Sequence, residues 1–232
     1  KPEYVGDQLI LARPNALDTE WGQDDTTALA EAKAEYVLLP MATCAADVKA
    51  YQEIFHRHDV DPVLIPAIET PGGVGSVEEI SQIAGVGGFA FGEGDLTAQM
   101  GIDIFEPDGS INPVVTAARA RVYTAASAAK CAMFDIAFLK DLKDLVEFER
   151  RCSELARMGA TAFFALFPPH VPVINRIFQP TDEQLEYARV VVAAFDQAAA
   201  EGKPAVQLAS GKALLIHDYT KAQRLLERAG SA

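Results

Sequence analysis

Short apolar runs, almost unbroken by polar residues, recur along the chain at residues 9–13, 36–40, 63–68, 88–91, 132–136 and 161–166. A strand with one wet face alternates apolar and polar positions. Runs that are apolar throughout predict strands covered on both faces, as in a parallel sheet wrapped by helices. Between them lie stretches in which apolar residues return every three or four positions, the period of a helix that buries one side. Ser76-Val77-Glu78-Glu79 and Thr181-Asp182-Glu183-Gln184 read as capping boxes that open helices. The second starts a long helix with Leu185, Ala188, Val192 and Phe195 on one face. Asp144 is expected to cap a helix whose stripe is Leu145, Phe148, Cys152, Leu155 and Ala156, with Gly159 as its stop.

The first four apolar runs begin at residues 9, 36, 63 and 88. A strand–helix unit repeating at that interval is the unit of a (β/α)8 TIM barrel, where about 250 residues make eight units. Six strands are visible, so the expectation is an α/β TIM barrel whose first two strands precede Lys1. The barrel unit is placed at residues 1–202 and a C-terminal lid segment and helix at residues 203–232. A doubly wound open sheet is the competing arrangement, but no GxGxxG follows a strand and opens a helix.

Composition narrows the functional classes. Half of the 232 residues are hydrophobic and 23% are charged, enough for a large core. The net charge is −13 with no basic cluster, which argues against nucleic acid and against anionic membranes, both of which are bound through cationic side chains. No apolar run reaches the length of a spanning helix, and no signal-peptide pattern is present. Cys44, Cys131 and Cys152 are far apart and form no CxxC; they read as reduced thiols of a cytoplasmic protein.

In a barrel of this kind function sits at the carboxyl ends of the strands. There the chain places Arg13, Glu69 and Asp95, the last two with similar offsets after consecutive strands. Two carboxylates at one mouth repel unless a proton or cation is shared between them. With oxygen donors only, the cation that suits them is Mg²⁺, which keeps water or substrate oxygens in its remaining positions. Arg13 offers a planar cationic fork for a carboxylate or a developing oxyanion. Gly72, Gly73, Gly92 and Gly94 would let backbone amides approach a ligand. The competing reading is that each acid merely caps a helix or faces water.

The segments Leu38-Leu39-Pro40, Ala67-Ile68-Glu69-Thr70-Pro71-Gly72, Phe91-Gly92-Glu93-Gly94-Asp95-Leu96-Thr97-Ala98, Ile174-Asn175-Arg176-Ile177-Phe178-Gln179-Pro180 and Gly211-Lys212 resemble the citrate lyase β-subunit-like (CitE-like) branch of the HpcH/HpaI aldolase superfamily. The resemblance implies a TIM barrel with Mg²⁺ held by Glu69 and Asp95. It also implies that Arg13 and Glu69 are catalytic, and that Arg13, Glu69, Gly94 and Asp95 contact substrate. It further implies a homotrimer in which a C-terminal segment lies over a neighbour's site. Members make or break a carbon–carbon bond between an acyl thioester, usually acetyl-CoA, and an oxo acid.

Departures from the family pattern are specific. Met41 replaces a lysine after Leu39-Pro40, and Leu166-Phe167-Pro168 replaces an Ile-His-Pro. Leu215 stands where some members carry an acid/base aspartate, with His217 and Asp218 nearby. Met41, Met100, Met133 and Met158 read as core fillers, and Trp21 either borders the ligand cleft or is structural. The expected activity is Mg²⁺-dependent cleavage of a 3-hydroxyacyl-CoA of the citramalyl-, malyl- or citryl-CoA type to acetyl-CoA and an oxo acid. The alternatives are a class II aldolase acting on a free hydroxy-oxo acid without CoA, and a non-catalytic metabolite-binding or lyase-subunit protein.

Overall fold

The computed structural model describes residues 8–201, 206–208 and 211–230. Strand and helix alternate in the order β1 (Leu11–Ala12), α1 (Gly22–Glu31), β2 (Tyr36–Leu39), α2 (Ala45–Arg57), β3 (Val63–Ile68), α3 (Pro71–Ile80), β4 (Gly88–Phe91), α4 (Glu93–Met100), α5 (Pro113–Ala128), β5 (Ala132–Asp135), α6 (Leu145–Met158), β6 (Ala162–Phe163), α7 (His170–Phe178), α8 (Asp182–Ala200), β7 (Val206–Gln207), β8 (Ala213–Leu214) and α9 (Ile216–Gly230). Each predicted strand is present, with β1 and β6 shorter than expected.

The main sheet runs β1-β2-β3-β4-β5-β6, every neighbouring pair parallel. A doubly wound sheet needs a point where the strand order reverses. Among the described residues the order never reverses, so that arrangement is excluded. Successive residues of a strand point to opposite faces, and the two faces do different work. Leu38, Ile65, Ala67 and Ala90 form one apolar cluster with Leu11, Phe134 and Phe164, drawing on all six strands or their ends. Their neighbours Val37, Leu39, Leu64, Ile68, Phe89, Phe91 and Met133 are buried on the opposite face, where helices cover the sheet. The result is a curled, half-barrel sheet filled by side chains on its concave side. Six strands of it fall among the described residues.

Several local expectations change. The α3 helix begins at Pro71, not near Ser76: Thr70 is its N-cap, with Oγ1 accepting from Gly73 N at 2.9 Å. Ser76 lies inside the helix. A Cβ on Gly72 would sit 2.4 Å from Thr43 Cγ2 and one on Gly73 2.2 Å from Ala42 O. These glycines admit close packing of α3 on the segment after β2, not the approach of a ligand. Of the four methionines only Met133 is core; Met41, Met100 and Met158 are exposed. Asp144 and Thr181 do cap α6 and α8, and Gly159 ends α6 at φ 126. The three cysteines are free thiols. Burial raises the Cys152 thiol to about 12, which leaves it protonated and unreactive.

The chain divides into two compact units, Lys1–Ile174 and Asn175–Ala232. The first contains the whole main sheet. In the second, α8 packs on α9 through Ala188, Val191 and Ala222, joined by Leu214 of the antiparallel β7–β8 pair. The expected boundary at 202/203 lies outside the described residues; α8, assigned to the barrel unit from the sequence, belongs to the same compact unit as α9.

Candidate functional site

Glu69 follows β3 and keeps the inward parity of Ile65 and Ala67, so its side chain faces the concave mouth. Two backbone features fix it. Met41, just past β2, adopts φ 55, and its amide donates to Glu69 Oε1 at 2.8 Å. On the other side lies Gly92, next to Glu69 because Ile68 pairs with Phe91 across β3 and β4. A Cβ at Gly92 would fall 2.5 Å from Glu69 Cβ and 2.7 Å from Oε2. Only glycine leaves that carboxylate its place.

The charges of Asp95 and Arg13 both act on this carboxyl. Burial raises the Glu69 pKa above the ordinary carboxylate range, and the negative charge of Asp95 pushes the same way. The Met41 amide and the Arg13 guanidinium oppose the rise. Asp95 stands in the first turn of α4, where a negative side chain also suits the helix dipole. Gly92 is the N-cap of that helix, and Gly94 contributes to its first turn. Arg13 leaves the end of β1 and is exposed. The three residues selected from the sequence therefore all follow the carboxyl ends of strands, with the charges of Asp95 and Arg13 acting on Glu69. Two carboxylates supply oxygen donors only. Among the described residues no group of three or more His, Cys, Asp or Glu forms a self-sufficient metal centre. The donor set fits an ion that completes its shell with water or substrate, as Mg²⁺ does. Beside Met41 opens a cavity of about 430 Å³, lined among others by Ala16, Leu17, Pro40, Cys44 and Tyr51.

Other sequence candidates are placed differently. Trp21 is exposed at the start of α1. In the second unit Leu215 is exposed, and Asp218 Oδ2 accepts from its amide at 2.8 Å, capping α9. His217 is exposed and lies 3.8 Å from the Asp218 carboxylate. Asp218 is thus committed to a helix start.

One constellation was not foreseen. Arg119 of α5, 1% exposed, donates through Nη2 to Glu93 Oε2 at 2.6 Å and through Nε to Asp135 Oδ2 at 2.9 Å. Tyr123 donates to the same Asp135 oxygen at 2.5 Å, and the guanidinium lies over the Phe91 ring. Burial would lower the Arg119 pKa, but Asp135 and Glu93 outweigh it and the net shift is upward. The sequence signal was available: Val115, Arg119, Val122 and Ala126 form a single helical stripe, and an arginine on an otherwise apolar stripe requires a buried partner.

Residues 1–168 match the profile of the HpcH/HpaI aldolase/citrate lyase family, and the chain belongs to that family. Its relatives place it in the CitE-like branch. Over 226 residues it is 28% identical to a (3S)-malyl-CoA thioesterase of Cereibacter sphaeroides, covering 95% of this chain and 74% of the relative. It is equally 28% identical over 227 residues to the citrate lyase subunit beta of Escherichia coli K12, covering 94% and 73%. Among solved structures it resembles CitE of Mycobacterium tuberculosis in complex with magnesium, acetoacetate and coenzyme A. That likeness has a TM-score of 0.75 at 25% identity and covers 95% of this chain and 78% of the other. Among the described residues no helix is long and apolar enough to cross a membrane.

Proposed function

We propose that this protein is a Mg²⁺-dependent carbon–carbon lyase that cleaves a 3-hydroxyacyl-CoA of the citramalyl-, malyl- or citryl-CoA type to acetyl-CoA and an oxo acid. The observation that carries the reading is the anchored Glu69 carboxylate, acted on by the charges of both Asp95 and Arg13. Relatives that act on malyl-CoA or belong to citrate lyase, and a solved CitE with magnesium, acetoacetate and coenzyme A, supply its chemistry.

Glu69 and Asp95 would hold the ion, Glu69 through the oxygen not engaged by Met41. Bound there, Mg²⁺ supplies Lewis acidity and orients the hydroxy-acid end of the substrate. Arg13 donates to the substrate hydroxyl oxygen, which carries alkoxide charge once its proton is lost and becomes the oxo oxygen as the carbon–carbon bond breaks; such electrostatic stabilisation is usually the largest contribution to catalysis of this kind. The amides of Gly94 and Asp95, at the start of α4, bind the substrate carboxylate. The closed eight-stranded barrel, the catalytic unit at residues 1–202, the segment at residues 203–232 lying over a neighbour's site, the homotrimer and a cytoplasmic location belong to the same proposal.

A second reading, hydrolysis of the thioester, is favoured by the thioesterase among the relatives and by Leu215 at the position where some CitE-like members carry an acid/base. The products separate them. With Mg²⁺ and a panel of hydroxyacyl-CoA thioesters, the lyase releases acetyl-CoA and an oxo acid, and the thioesterase releases free CoA and a hydroxy acid. An aldolase would turn over the hydroxy-oxo acid without CoA, and a pure binder would turn over none. Excess EDTA or Glu69→Ala should abolish turnover; full activity in either condition contradicts the lyase.

A further inference from the structure

The segment that presents Asp95 has little stiffness of its own. In Gly92-Glu93-Gly94-Asp95 two of four residues are glycine, which leaves the backbone unusually free. The residue between the glycines is nevertheless 1% exposed and held at both carboxylate oxygens. Glu93 Oε2 accepts from Arg119 at 2.6 Å, and Oε1 accepts from the Phe138 amide at 3.3 Å. Arg119 is itself fixed on Asp135 at the end of β5. Asp135 also accepts from Tyr123 and from the Ile136 amide, at 2.5 and 2.7 Å. A second guanidinium, Arg151, lies 3.8 Å from Glu93, so two buried carboxylates face two cations.

Resting on the metal-site reading above, we infer that Arg119 is a positioning residue: through Glu93 it clamps the first turn of α4 to β5 and thereby aims Asp95 at the ion shared with Glu69. Arg119 touches neither substrate nor metal. Its planar fork serves two carboxylates at once in a fixed geometry that the flexible point charge of lysine does not reproduce. Outer partners that orient a metal ligand typically matter by about 10–100-fold in metal affinity.

The test is a Mn²⁺ titration, with Mn²⁺ as the paramagnetic probe for the Mg²⁺ position, on the full chain, alongside circular dichroism for folding. Arg119→Lys and Glu93→Gln are each expected to weaken Mn²⁺ binding about 10–100-fold while the helical signal is retained. The second keeps the volume of the side chain but cannot accept from Arg119 and Phe138 through both positions. Tyr123→Phe, which cuts only the bond to Asp135, should stay within about threefold. Folded Arg119→Lys and Glu93→Gln proteins with wild-type Mn²⁺ affinity would overturn the inference. Failure of both to fold would equally overturn it, showing the cluster to be a folding element only. If the wild type binds no Mn²⁺, or binds it equally well in Glu69→Ala, the metal-site reading itself has failed, and the two failures are thereby distinguished.

Discussion

The Met41 amide, carried at φ 55, donates to Glu69 Oε1 at 2.8 Å. A left-handed backbone at a residue with a Cβ costs about 1–2 kcal/mol, and here it turns the amide onto a carboxylate. The side chain itself is exposed, so the backbone is what the site uses. Met41→Gly should therefore leave stability within about 1 kcal/mol of wild type, since relief of strain offsets the greater freedom of the unfolded chain. Mn²⁺ affinity should be unchanged. Urea unfolding and Mn²⁺ titration check this, and a loss above about 2 kcal/mol would show that the side chain matters.

Gly92 and Gly94 predict opposite outcomes for the same substitution. Gly92→Ala places a methyl group 2.5 Å from Glu69 Cβ, so the carboxylate must leave its seat. The expected cost is about 1–3 kcal/mol of stability, together with loss of metal binding. At Gly94 the added carbon would meet only the Phe138 ring at 3.6 Å, an ordinary contact. Gly94→Ala should fold as stably as wild type, within about 0.5 kcal/mol. Thermal melting of the two variants side by side decides the matter.

Glu69 gives the metal-free protein a pH dependence of definite sign. Its folded pKa lies above the ordinary value of 4.5, chiefly through burial. Between those two values the native state retains a proton that the unfolded state has lost, so this group's contribution to stability falls as pH rises through that window. Glu69→Gln removes the effect. In EDTA its melting temperature should exceed that of wild type at pH 7, and the gap should close towards pH 4. A variant less stable than wild type at pH 7 would refute the assignment. Because the ion competes with the proton, metal affinity should fall on acidification at a higher pH than for an ordinary carboxylate pair.

Removing the guanidinium altogether should be severe. Arg119→Met strips Glu93 and Asp135 of their shared partner in a fully buried position. Breaking a buried pair in this way costs about 3–5 kcal/mol, readable as a lower urea midpoint.

The strands were legible because a sheet covered on both faces leaves an unmistakable apolar signature; residues 63–68 coincide with β3 from end to end. Glu69 and Asp95 stand out as candidates in the sequence because function in such folds gathers at strand ends and their offsets match. Arg119 does not. Its partners are 26 and 16 residues away, a pairing that only the folded sheet creates. The start of α3 was misplaced for a different reason. Three glycines follow Thr70-Pro71, and glycine reads as loop. The cap-then-proline order at Thr70-Pro71 was the better signal, and Gly72 and Gly73 answer to the crowding of Thr43 and Ala42. The division of the chain at residue 174 falls inside α7, where no proline- or glycine-rich linker marks it.

The most direct test of the account is a crystal structure grown with Mg²⁺ and an oxo acid. The prediction is a single ion bonded to one oxygen each of Glu69 and Asp95 at about 2.0–2.1 Å, with Arg13 against the oxo oxygen and Met41 still donating to the other Glu69 oxygen. An ion bound elsewhere, or a Glu69 carboxylate turned away from Asp95 in the loaded protein, would contradict it.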